Sequence, residues 1–227
     1  MIRVTENLKL VRDLLAKAAN EAQRAPSSVR LLAVSKKQPA AAIAEAASSG
    51  QRDFGENQVR EGISKVGELS SLDLCWHFIG HLQTNKTRDV AEHFDWVHSI
   101  DRLKTATRLS AQRPSGLAPL NVCLQVNIDD EAAKSGIRCD EVGELAAAVA
   151  KLPNLKLRGL MCIPAVRDDF IEQRKPFAEL RQLAESHSGG DIQLDTLSMG
   201  MSNDYRAAIF EGATIVRIGT AIFGPRS

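Results

Sequence analysis

Apolar positions recur along this chain with two alternating periods. In residues 5–24, Leu8, Val11, Leu14, Leu15, Ala18, Ala19 and Ala22 fall at helical spacing and predict an amphipathic helix. Pro26 and two serines end it. The short apolar run 31–36 follows and closes on a lysine. As a strand it places Leu32, Val34 and Lys36 on one face. Pro39 then opens an alanine-rich helix that Gly50 ends.

The alternation continues to the C-terminus. Strands are predicted at 52–57, 75–80, 95–100, 120–128, 156–164, 191–199 and 214–219. Between them lie helices at 59–69, with Val59, Ile63, Val66 and Leu69 on one stripe, and at 82–94. Asp101 is the predicted N-cap of a helix running to residue 111. Helices at 139–152, 168–186 and 203–212 complete the series, the first with Val142, Leu145, Val149 and Leu152 on its face.

Eight apolar strands alternating with helices imply a parallel sheet covered on its outer side. Over 227 residues the repeat is about 28, which closes a (β/α)8 TIM barrel as one domain spanning residues 1–227. An open doubly wound sheet would carry a glycine-rich turn after its first strand. Lys36-Lys37-Gln38-Pro39 has no glycine, so the barrel is preferred.

Composition narrows the partners. Lys plus Arg is 29 against 28 for Asp plus Glu, so no electrostatic footprint favours nucleic acid or an anionic membrane. No apolar run approaches the ~20 residues of a membrane span. The polar start Met1-Ile2-Arg3-Val4-Thr5-Glu6-Asn7 lacks the apolar core of a signal peptide. Cys75, Cys123, Cys139 and Cys162 are widely spaced with no Cys-x-x-Cys pair, which favours reduced thiols in the cytoplasm over zinc or disulfides. Small molecules are the expected partners.

In such barrels chemistry sits where strands end. Those ends carry Lys36, Asn57, the 77–81 segment, Asn127, Pro164, Ser198 and the 217–220 segment. An amine held half out of an apolar interior at a strand end has a depressed pKa and can attack an aldehyde, whereas neighbouring Lys37 reads as a solvated charge. The loops after strands seven and eight, Ser198-Met199-Gly200-Met201-Ser202-Asn203 and Gly219-Thr220-Ala221-Ile222-Phe223-Gly224, combine glycine with a hydroxyl, as phosphate cradles do. The same glycines also fit tight turns. Arg217 interrupts an apolar strand and shares a face with Ile215 and Gly219, so it needs an acceptor, either a ligand or an acid on a neighbouring strand.

Other candidates carry less. His77 and His81 do not share a face in a strand-plus-loop segment, and no His-Glu-x-x-His pattern accompanies them. Glu56 points opposite to Asn57, so it orients a neighbour or faces solvent; Tyr205 lies on a helix as surface or core. Lysine, inward arginine and phosphate loops together suit a ligand with an aldehyde, a phosphate and an acceptor for Arg217. Pyridoxal 5′-phosphate (PLP) offers all three, and a phosphorylated sugar aldehyde only two.

Several long motifs then carry a resemblance. Leu32-Ala33-Val34-Ser35-Lys36, Phe54-Gly55-Glu56-Asn57, His77-Phe78-Ile79-Gly80-His81-Leu82-Gln83-Thr84-Asn85-Lys86, Lys134-Ser135-Gly136, Gly159-Leu160-Met161-Cys162-Ile163-Pro164, Ser198-Met199-Gly200-Met201-Ser202 and Val216-Arg217-Ile218-Gly219-Thr220-Ala221-Ile222-Phe223-Gly224 resemble the YggS/PROSC family, from about residue 5 to the end. These are PLP-binding homeostasis proteins with the fold of the alanine racemase N-terminal domain. The resemblance implies that Lys36 holds PLP as a Schiff base and that Arg217 faces the pyridine nitrogen. It also implies that Ser198, Gly219 and Thr220 hold the phosphate and that Asn57 lines the site near the ring. Ser202 is a further phosphate candidate that could equally cap the next helix. The chain departs from many members in ending Gly224-Pro225-Arg226-Ser227 rather than on an aromatic residue.

A carrier is expected rather than an enzyme. A protonated Arg217 leaves the pyridine nitrogen unprotonated and weakens PLP as an electron sink. Alanine racemases supply a second acid–base group, a tyrosine, from a C-terminal β-domain; this chain stops seven residues after Thr220 and is expected to lack it. PLP and amino-acid homeostasis is therefore the expected role, with PLP-dependent apoenzymes as recipients and a monomer as the working form. A weak amino-acid racemase or a Schiff-base lyase is the alternative.

Overall fold

Eight parallel strands pair in the order β1-β2-β3-β4-β5-β6-β7-β8 and β8 pairs back to β1, so the sheet closes into a barrel. The computed structural model describes residues 4–131 and 133–224. The first three residues of the polar N-terminus and the Pro225-Arg226-Ser227 ending lie outside the described residues. The elements are α1 (Val4–Glu21), β1 (Arg30–Val34), α2 (Ala40–Ser48), β2 (Asp53–Glu56), α3 (Val59–Glu68), β3 (Cys75–Phe78), α4 (Thr87–His93) and β4 (Trp96–Ile100). They continue with α5 (Leu103–Gln112), β5 (Leu120–Val126), α6 (Val142–Ala150), β6 (Leu155–Cys162), α7 (Phe170–His187), β7 (Thr196–Ser198), α8 (Tyr205–Phe210), β8 (Ile215–Ile218) and α9 (Thr220–Phe223). The predicted barrel is the observed one.

The last unit closes differently from the others. Its helix, α9, is a single turn, too short to cover a strand. The N-terminal α1 packs beside α2, α8 and α9 and covers the seam where β8 meets β1. Asn7 of α1 donates through Nδ2 to the carbonyl of Ile222, 3.0 Å away, and ties the two chain ends together.

Strand parity separates two cores. Phe54, Phe78, Phe94 and Phe177 belong to the large layer between sheet and helices. Leu32, Trp96, Cys123, Met161 and Ile215 fill the barrel itself. Polar groups are buried among them: His77, His98, Ser198 and Arg217. Register places Leu32 beside Arg217 and Val34 beside Gly55.

Several local expectations change. Leu14 is 42% exposed because the stripe of α1 runs through Leu8, Val11, Leu15, Ala18 and Ala19 instead. The buried positions of α3 are Gly62 and Lys65, with Val59, Ile63 and Val66 only half-buried. A Cβ on Gly62 would meet Phe94 at 2.6 Å, so glycine lets that ring approach. The seventh strand is only Thr196–Ser198, because Gly189 and Ile192 pair with each other in a turn. Asp101 does not cap α5. Its carboxylate accepts from Arg102 Nε at 3.3 Å, and Arg102 occupies the cap position.

Candidate functional site

The ends of β1, β2, β3 and β8 surround a cavity of about 330 Å³ at the C-terminal mouth of the barrel. That volume lies at the lower end of small-molecule sites. Lys36, Asn57, Ser202, Arg217, Gly219 and Thr220 all line it. β1 stops at Val34, so Lys36 sits on the turn beyond the strand, half-buried, and lines the same cavity as Val34. Lys37 points out to solvent.

The turn bearing Lys36 is held on both flanks. Lys65 Nζ donates to the carbonyl of Ser35 at 2.7 Å, and Ser35 Oγ donates to Glu56 Oε1 at 2.6 Å. On the other side the Lys37 amide donates to Glu61 Oε1 at 2.5 Å. Lys37 has φ +60°, a left-handed conformation that most side chains avoid, and this clamp keeps it there. Lys65 joins the two acids, 2.7 Å from Glu56 and 2.6 Å from Glu61. Glu56 therefore orients its neighbour and does not face solvent. Burial pushes its carboxyl above the ordinary value despite the hydrogen bonds from Lys65 and Ser35.

Arg217 forms part of the cavity floor. Its Nη1 donates to the carbonyl and the hydroxyl of Ser198, at 2.5 and 2.9 Å, and its Nη2 donates to the carbonyl of Cys162 at 2.8 Å. Among the described residues no carboxylate forms a direct ion pair with it. Burial lowers the guanidinium from its ordinary value, yet that value is so high that the group keeps its charge.

Ser198 is the predicted site residue that the structure moves elsewhere. It is fully buried inside the barrel, where its hydroxyl meets Arg217 and His98 Nδ1, the latter at 2.7 Å. It does not line the cavity, because parity on β7 turns it into the barrel interior. The exposed Ser202 lines the mouth in its place. The glycines also have packing roles: a Cβ on Gly219 would lie 2.9 Å from the Val34 carbonyl, and one on Gly200, at φ +91°, 2.6 Å from Ala208.

Asn57 brings an unusual group to the wall. Its Oδ1 is buried and has no hydrogen-bond partner among the described residues. A buried acceptor without a donor is costly, and a ligand hydroxyl would satisfy it. Tyr205 starts α8, half-buried against the outer core, and is absent from the cavity wall. Asn127 holds its own loop through Glu131. His81 is exposed near Ser135, whereas His77 is buried in the barrel, so the two do not meet.

Sequence reasoning missed Lys65, Glu61, Asp53 and His98. His98 interrupts a strand that is buried throughout, the same signal that singled out Arg217.

Three comparisons bear on this arrangement. Residues 11–227 match the family described as alanine racemase, N-terminal domain. A protein of Pseudomonas aeruginosa named pyridoxal phosphate homeostasis protein is 57% identical over 226 residues, covering 100% of this chain and 97% of the relative. An Escherichia coli protein of the same name is 56% identical over 229 residues, covering 98% and 97%. The solved structure of PipY from Synechococcus elongatus with PLP bound is 40% identical, with a TM-score of 0.81, and covers 92% of this chain and 100% of that one.

Proposed function

This chain belongs to the alanine racemase N-terminal domain family, and from that premise we propose that it binds PLP and serves PLP homeostasis as a one-domain carrier. The observation that carries this is the convergence of an amine, a guanidinium and two hydroxyls on one cavity of about 330 Å³. Relatives named for PLP homeostasis and a PLP-bound structure at 40% identity support it.

The residues present fit the ligand. Lys36 supplies a primary amine, which would hold the aldehyde through a reversible carbon–nitrogen double bond with release of water. Arg217 would present a fixed positive charge to the pyridine nitrogen. Ser202, Gly219 and Thr220 would hold the phosphate, and the unpartnered Oδ1 of Asn57 would accept from the ring hydroxyl.

When bound, PLP supplies an aldehyde and an electron-withdrawing ring. Arg217 keeps its own protons and would leave the ring nitrogen unprotonated, so the ring would withdraw electrons weakly and the site favours holding over turnover. Ser202 and Thr220 are exposed at the rim, which suits loading and release. PLP-dependent apoenzymes are the proposed recipients and a monomer the working form. The four unpaired cysteines fit a cytoplasmic location, and among the described residues no helix is long and apolar enough to cross a membrane.

The test is an absorbance spectrum of protein mixed with PLP, then borohydride reduction and peptide mapping. A coloured complex with the tag on Lys36, lost in Lys36→Ala, is the expected result. A colourless mixture, or a tag elsewhere in the wild type, removes the proposal. Incubation with single amino acids should leave their chirality unchanged and release no keto acid.

A further inference from the structure

A line of hydrogen bonds runs through the barrel from its far end to the floor of the mouth. Asp53 stands at the start of β2, and its Oδ1 lies 3.0 Å from His77 Nε2. His77 Nδ1 is 2.9 Å from His98 Nε2, and His98 Nδ1 is 2.7 Å from Ser198 Oγ. Ser198 Oγ is 2.9 Å from Arg217 Nη1. Five strands contribute one residue each, and the three middle residues are fully buried.

The ends fix the direction of every bond. A guanidinium can only donate, and an ionised carboxylate can only accept. Burial alone raises the Asp53 carboxyl, but the hydrogen bond from His77 and the nearby Arg30 bring it below the ordinary value, so it is ionised at neutral pH. A hydroxyl has one proton to donate, and a neutral imidazole donates once and accepts once. Arg217 therefore donates to Ser198, Ser198 to His98, His98 to His77 and His77 to Asp53. Both rings must be neutral with the proton on Nε2, and burial keeps both below the ordinary histidine value. Trp96 stacks on His77 with ring centres 5.3 Å apart, and Arg30 lies 3.4 Å from Asp53 at the open end.

We propose that His77, His98 and Ser198 are positioning residues that aim the Arg217 guanidinium at the mouth through this one-way chain, with Asp53, paired with Arg30 at the open end, as its terminal acceptor. An acid hydrogen-bonded directly to Arg217 would occupy and neutralise it. Neutral acceptors fix its orientation instead and leave its field facing the cavity. The effect on a bound pyridine rests on the function proposed above, whereas the chain itself does not.

Two readouts separate them. Long-range proton–nitrogen NMR of the ligand-free protein should show both buried rings neutral and protonated on Nε2 near pH 7. A proton on Nδ1 of either ring, or a charged ring, overturns the chain. Asp53→Asn and Ser198→Ala should each weaken PLP binding about three- to tenfold and shift the absorbance maximum of the complex, with Ser198→Thr restoring both. Affinity and maximum unchanged in Asp53→Asn and Ser198→Ala, with a wild type that binds, overturn the positioning role. A wild type that does not bind PLP refutes the proposed function, and the NMR result then decides the chain alone.

Discussion

Two polar networks meet this site from opposite sides of the barrel wall, and each ends at one of its two cations. Outside the wall, Lys65, Glu56 and Glu61 pair directly at 2.6 to 2.7 Å between β2 and α3. Inside, three neutral groups separate Asp53 from Arg217. The outer network grips backbone and hydroxyl on either side of Lys36, whereas the inner one grips the guanidinium of Arg217 itself. Lys36 is thus held through its neighbours, and Arg217 through its own charged group.

If that division is right, damage to the two sides differs in size. Lys65→Met leaves two acids uncompensated, one of them fully buried, and should cost about 3–5 kcal/mol of unfolding free energy, measured by urea denaturation. Adding Glu56→Gln should recover part of this. Ser198→Ala removes one bond to the guanidinium and one to His98, while the carbonyls of residue 198 and Cys162 still hold Arg217, and should cost about 1–3 kcal/mol. A larger loss for Ser198→Ala than for Lys65→Met would reverse the comparison.

The barrel was legible because its signal is repeated eight times. Period two along the strands also put Leu32 on the face of Lys36, which the structure turns into the barrel, and set Arg217 on the face of Ile215 and Gly219. Ser198 points inward, but a serine two residues before a glycine at a strand end looks like a phosphate ligand. What separates the two is the shortness of β7, set by pairing with β6 and β8 rather than by local sequence. The two networks were hidden for another reason. Their members are distant in the chain: Asp53 and His98 are 45 positions apart, and Ser198 lies 100 positions further on. Each buried polar residue looks like an isolated anomaly until a barrel makes them neighbours.

The smallest predicted effect gives the comparison a sign. Burial raises the Glu56 carboxyl above its ordinary 4.5, so the folded chain binds that proton more tightly than the unfolded one. This group's contribution to stability is fully present below the ordinary value and is lost as pH rises through the raised one. Asp53 is shifted the other way, below its ordinary 3.8. Its contribution is present above 3.8 and is lost as pH falls through the lowered value. Urea titrations at pH values from neutral to acid should therefore diverge for the two single variants. The stability advantage of the wild type over Glu56→Gln should grow as pH falls toward 4.5. Its advantage over Asp53→Asn should stay level there and shrink only below 3.8. Parallel profiles for both variants would mean that the two acids share one electrostatic environment, and the wall would then not separate a charged network from a neutral one.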